Sequence, residues 1–176
     1  AFALWDGARR TLFLARDPYG IKPLYWSDDG HTLRLASQVK ALLAGGAIAR
    51  DPDPAGIVGF YLFGSAPEPY TRYRAIHELP AGSYLLAGEQ GVAAPVCYFS
   101  VAATFAAASR DATARDPMAL MAGVRQALVD SVRHHLVADV PVGAFLSAGV
   151  DSSTLLALMA ETMAEPSVAR ALVTRA

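Results

Sequence analysis

The sequence predicts a mixed α/β protein built in two parts. Short β-prone runs, separated by Gly, Asp and Pro turns, fill the first hundred residues. Longer segments with helical spacing follow from Asp116 onward. Near the C-terminal end, the apolar run 140–146 leads into the small-residue stretch 147–153 and then into another helical pattern. With 53% hydrophobic and 18% charged residues among 176, the chain has ample material for a core.

In chain order, AFALWD (1–6) and TLFLARD (11–17) are spaced as a hairpin that turns at Gly7. PLYWS (23–27) and TLRLAS (32–37) repeat the pattern around Asp28, Asp29 and Gly30, a strong turn signal. SQVKALLAG (37–45) has helical spacing and a glycine stop. DPAGIVGFYLFG (53–64) reads as a helix capped by Asp53, with Pro54 in its first turn. Residues 81–100 read as a hairpin turning near Glu89–Gly91. The stretch 101–115 is rich in Ala, Ser and Thr; it fits a weak helix or a linker, and its composition favours a linker. Asp116 and Pro117 open a helix in which Leu120, Val124, Leu128, Val132 and Leu136 recur every fourth residue. Residues 140–146 read as a strand buried on both faces, and 153–164 as the helix after it.

A formal net charge of −1, without basic runs, argues against nucleic acid or an anionic membrane as partner. No apolar run reaches the roughly 18 residues of a spanning helix, and the first residues lack a signal-peptide pattern. The single cysteine, Cys97, lies on an apolar stretch and reads as a buried structural residue, which fits a reducing cytoplasm. His134 and His135 are adjacent on a helix with no acidic or Cys cluster beside them, so they read as helix-end or surface residues rather than metal ligands. Residue 1 is Ala inside a predicted strand, and residue 176 closely follows a predicted helix, so an internal piece of a longer protein is expected.

The chemistry concentrates at GAFLSAGVDSST (143–154). The first N–H groups of a helix lack internal partners and carry partial positive charge. Gly149 would allow close backbone approach, and Ser147, Ser152 and Ser153 would add hydroxyl donors, which together suit phosphate oxygens. Neither the Walker pattern nor the dinucleotide G-x-G-x-x-G pattern is present. On spacing alone, a plain strand-to-helix turn with an Asp or Ser cap explains the stretch equally well.

LSAGVDSS resembles the S-G-G-x-D-S signature of the PP-loop ATP pyrophosphatases, and DVPVGAFLSAGVDSS resembles the opening of the synthetase domain of glutamine-hydrolysing asparagine synthetases. The resemblance implies that Leu146, Ser147, Ala148, Gly149, Val150, Asp151, Ser152 and Ser153 bind ATP, the loop gripping its pyrophosphate end. Asp151 either caps the helix or positions Mg²⁺, with capping favoured. Ala148 stands where the family has glycine, which is tolerated if its φ is ordinary.

The front half carries the same resemblance. ARDPYGIKPLYW (15–26), ASQVKALL (36–43), residues 59–85 and CYF (97–99) resemble successive blocks of class II glutamine amidotransferase domains. Pro18, Gly20 and Pro23 shape the turn of the first block, and Arg16 and Asp17 pair or bond to loop backbone; the block reads as scaffold near the glutaminase pocket. Gln38 replaces a frequent Glu, which removes a charge.

The implied fold is the C-terminal part of an αββα (Ntn-type) amidotransferase domain over 1–100, a linker over 101–115, and the start of an α/β PP-loop synthetase domain over 116–176. The family's nucleophile is an N-terminal Cys, so no catalytic residue is assigned to this chain. The implied reaction makes asparagine from aspartate, glutamine and Mg²⁺-ATP through β-aspartyl-AMP, in a protein for which a homodimer stays open. Three alternatives stand beside it: a related amidotransferase with another carboxylate acceptor, a non-catalytic homologue, and a plain α/β domain that binds no nucleotide.

Overall fold

A computed structural model describes residues 1–110 and 116–164. The chain divides into two compact units, the first ending at Ala112.

In the first unit, strands β1 (Phe2–Asp6) and β2 (Thr11–Ala15) form the expected hairpin, with Leu4 opposite Phe13. The Asp6 carboxylate accepts N–H bonds from Ala8 and Arg9 at 3.0 and 3.1 Å, which closes the turn. The left-handed position of this turn is Arg10 at φ +51°, not Gly7. Strand β2 also pairs with β6 (Ser83–Gly88), and β6 pairs with β7 (Gly91–Val92) and β8 (Val96–Cys97), all antiparallel. A second sheet has the order β4 (Leu33–Ala36), β3 (Tyr25–Asp28), β5 (His77–Glu78).

Side-chain alternation along these strands sets the layers. Leu14, Leu85 and Ala87 of the first sheet meet Leu24 and Leu79, with Trp26 and Leu33 of the second sheet packed on them. On the opposite face of the second sheet, Tyr25 and Ala36 pack with Leu42 of helix α1 (Val39–Gly45), Ile48 and Ile76. The result is sheet, sheet, helix. Cys97 departs from the sequence expectation: it is exposed, because β8 is a two-residue strand with neither residue buried.

Helix α2 (Pro54–Phe63) has the expected cap, the Asp53 carboxylate accepting from Ala55 N at 2.8 Å and Gly56 N at 3.5 Å. It ends where Gly64, at φ +77°, returns its N–H to Phe60 O. Helix α3 (Val101–Arg110) occupies most of the stretch weighed between helix and linker, and none of its residues is buried. Residues 111–115 of that stretch, and 165–176, lie outside the described residues.

The second unit pairs helix α4 (Pro117–His135) with α5 (Val150–Ala164). Asp116 caps α4 through Met118 N and Ala119 N. Val129, Val132, Leu136 and Leu158 form its core. Only the lower part of the predicted α4 stripe is therefore covered, since Leu120 and Val124 remain 45% and 61% exposed. The predicted strand over 140–146 does not form. Nothing among the described residues pairs with it, Phe145 is fully exposed, and a strand without a neighbour has no ladder to hold it.

Two glycine substitutions test this packing. A Cβ on Gly56 would lie 1.8 Å from Thr71 O, whereas one on Gly123, inside α4, would meet nothing within 4 Å. In chemical denaturation, Gly56→Ala is expected to lose about 2–3 kcal/mol, and Gly123→Ala to gain about 0.5–1 kcal/mol.

Candidate functional site

Two sequence blocks carried functional expectations, and each unit holds one. In the first unit, the chain after β2 turns through residues 16–22 around two side chains that face different partners. The Asp17 carboxylate collects N–H groups of its own loop, from Tyr19 at 3.2 Å, Ile21 at 2.9 Å and Lys22 at 3.2 Å. Burial alone would raise its pKa, but these three donors, Ile21 first, outweigh it and hold the carboxyl below its ordinary value. Gly20 closes the turn at φ +64°, its N–H donating to Asp17 O.

Arg16 is only 5% exposed. Its guanidinium donates to three carbonyls, Lys22 O at 3.1 Å, Gly20 O at 3.0 Å and Leu79 O at 2.7 Å. It also meets Glu68 at 2.6 Å and Glu78 at 3.0 Å. Burial pushes the Glu78 carboxyl up; the Arg16 charge pulls it back, and the nearby Glu68 charge adds to the upward push. The second Glu68 oxygen accepts from Ala81 N at 2.9 Å. Arg16 and Asp17 therefore bond to loop backbone and do not pair with each other. The sequence reading missed Glu68 and Glu78, which lie far along the chain; for Glu78 the available signal was a glutamate set close between the apolar residues Ile76 and Leu79. Gln38 is exposed at the start of α1 and makes no capping bond.

In the second unit, Leu146 (62% exposed) and Val150 (80% exposed) flank the loop on the open surface. Ser147 and Ser152 bond each other through their hydroxyls at 2.7 Å. Gly149 N donates to Ser147 Oγ at 3.2 Å, and the Ser152 and Ser153 hydroxyls donate to Gly149 O at 3.1 and 3.0 Å. The serines thus hold the loop closed, and the donors left for a ligand are the main-chain N–H groups that open α5. Gly149 does not take the left-handed conformation expected of a tight-turn glycine; what it permits is closeness, since a Cβ there would sit 3.3 Å from Ser147 Oγ. Arg10 is the only described non-glycine residue with positive φ, so Ala148 carries its methyl without backbone strain.

Asp151 is not the cap. It lies inside the first turn of α5 and is exposed, and Gly149 O receives the first helical bond, from Ser153 N at 3.2 Å. That leaves the Asp151 carboxylate without a partner among the described residues, beside the N–H groups that open the helix. His134 and His135 each bond a carbonyl one turn back, at 2.7 and 2.8 Å, and no metal-binding cluster occurs among the described residues. No described helix is long and apolar enough to cross a membrane.

This two-part arrangement is matched by two known families. Residues 1–99 match the family described as glutamine amidotransferase domain, and residues 123–173 match asparagine synthase. The chain belongs to the glutamine amidotransferase domain family. It is 36% identical over 161 residues to a putative glutamine-hydrolysing asparagine synthetase of Mycobacterium tuberculosis, which covers 90% of this chain and 24% of that protein. Asparagine synthetase 3 of Bacillus subtilis is 34% identical, over 91% of this chain and 25% of its own length. A protein of Penicillium rubens named as an amidase is 33% identical, over 93% and 23%. The chain spans about a quarter of the length of the curated relatives it matches.

The Asp17 bonds predict a pH dependence. A depressed carboxylate contributes stability that is present above its unfolded value, near 3.8, and is lost as pH falls through the lower folded value. Asp17→Asn should therefore be less stable than wild type at neutral pH, and the difference should shrink below about pH 4. Urea midpoints measured across that range check it; a difference that stays constant with pH would contradict it.

Proposed function

We propose that the protein containing this chain is a glutamine-hydrolysing asparagine synthetase. Its first domain, residues 1–100 and what accompanies them, releases ammonia from glutamine. Its second domain, beginning after a linker within 101–115, activates aspartate with ATP and lets ammonia displace AMP. The supporting observation is the order of two matched domains in one chain, with a loop of free main-chain donors and an unpaired Asp151 at the start of the second.

In this reading the N–H groups at Val150, Asp151 and Ser152 hold the pyrophosphate end of ATP. Ser147 and Ser152, bonded to each other, and Ser153, which like Ser152 bonds Gly149 O, fix the shape of that cradle. Ala148 and Gly149 keep side chains out of it, and Leu146 borders the nucleotide. When bound, Mg²⁺ would supply charge neutralisation on the phosphate oxygens, and Asp151 would be the carboxylate that holds it. Aspartate, glutamine and ATP are the proposed substrates, the cytoplasm the proposed compartment, and a homodimer the proposed assembly. The amidase name of the Penicillium relative keeps a second reading in view, in which the amide is formed on a different carboxylate.

The experiment is an assay of the full-length protein. Ammonia-dependent AMP formation with aspartate should fall roughly 100-fold in Asp151→Ala, while glutamine hydrolysis should change less than about twofold. Equal AMP formation in wild type and variant would remove the loop from the reaction. AMP formation with another acceptor but not with aspartate would select the second reading.

A further inference from the structure

Helix α2 is built inside out. Its buried residues are Gly56 and Gly59, while Val58, Phe60, Tyr61, Leu62 and Phe63 are 55–84% exposed. The glycines let the helix lie against backbone and ring atoms of Thr71 and Pro67, as the 1.8 and 2.1 Å approaches of added Cβ atoms show. Beside Gly56 this leaves a cleft of about 360 Å³, lined also by Ile57, Phe60, Tyr61, Ala66 and Arg72. That volume falls within the range of small-ligand pockets, about 300–1,000 Å³. Phe60 and Tyr61 of this lining meet edge to face at 6.0 Å.

Arg72 gives the cleft its polarity. In the same unit Arg9, Arg10, Arg16 and Arg34 each sit on a carboxylate. Arg72, like Arg50 and Arg74 of the same unit, has no acidic partner among the described residues; it lies 6.0 Å from the Tyr73 ring and is the arginine that lines this cleft. The nearby helix terminus adds no second anion site, since the Asp53 carboxylate already accepts from Ala55 and Gly56 N–H. One guanidinium beside a filled helix terminus suits a monoanion. A dianionic phosphate would meet the Asp53 charge without a second cation to offset it.

We propose that this cleft binds a small carboxylic acid with an aromatic or branched apolar body. Its carboxylate rests on the Arg72 guanidinium and its body lies against Ile57, Phe60 and Tyr61. The site is independent of the amide-forming reaction, so its failure leaves that reading untouched.

The test is a titration of the ¹⁵N-labelled full-length protein with 3-phenylpropionate, followed at the amide signals of Gly56, Ile57 and Gly59. Its uncharged amide, 3-phenylpropanamide, is titrated in parallel. The proposal requires saturable shifts at these residues, with the acid binding roughly tenfold tighter than the amide. Arg72→Gln, an exposed substitution, should erase that difference while the rest of the spectrum stays in place. Absence of saturable shifts at millimolar acid overturns the site. Equal affinity for acid and amide in wild type, or an acid preference that survives Arg72→Gln, overturns the role of Arg72.

Discussion

The buried guanidinium of Arg16 is the constraint on which the first unit depends. One side chain satisfies carbonyls at Gly20, Lys22 and Leu79 and meets Glu68 and Glu78. Those groups belong to the loop after β2, the segment after α2, and the strand β5 with the residue that follows it. A buried cation is costly unless its donors are used and its charge is matched, and here both conditions are met. Removing it would leave Glu78, whose side chain is 12% exposed, without its cation, at a cost of about 3–5 kcal/mol. The backbone of Arg16 adds to the tie: its N–H donates to Ser83 O at 3.0 Å, and its carbonyl accepts the Tyr98 hydroxyl at 2.7 Å.

From this junction the fold spreads by alternation. Tyr25 and Trp26 are neighbours in β3, yet Tyr25 packs with the α1 cluster and Trp26 with the core between the sheets. Asp17 performs a smaller version of the Arg16 task, with one carboxylate organising the N–H groups of a tight loop while Arg16 gathers carbonyls from distant segments. The second unit relies on fewer connections. Its helices meet through Val129, Val132, Leu136 and Leu158, and an Arg125–Glu161 ion pair crosses between them. Its loop at 147–153 is closed by its own serines, which leaves the helix-start donors as the groups a phosphate would meet.

Local features were legible in the sequence because local residues determine them. Asp53 and Asp116 announced their caps and Gly30 its turn, whereas the helix expected over 153–164 begins three residues earlier, at Val150. Arg16 and Asp17 could be read as loop binders because Pro18 and Gly20 marked the loop. Long-range features were not legible. The Glu68 partner of Arg16 lies 52 residues away, and no local pattern encodes that pairing. An apolar run such as 140–146 states only that a strand would be favourable, and a strand needs a neighbour that the described residues do not supply. Cys97 was misjudged for a similar reason: residue type suggests burial, but the short edge strand β8 leaves it open. Asp151 looked like a cap in one dimension, and the helix begins one residue before it.

Backbone hydrogen exchange in Arg16→Met tests the central claim most directly. If the guanidinium ties these segments together, protection should fall jointly at Gly20, Leu79 and Gly82, whose amides bond to Asp17, Leu24 and Asp17. Protection of Leu136, which closes α4 in the other unit, should not change. Loss confined to Gly20, or equal loss at all four sites including Leu136, would contradict a single buried cation as the organising element of this unit.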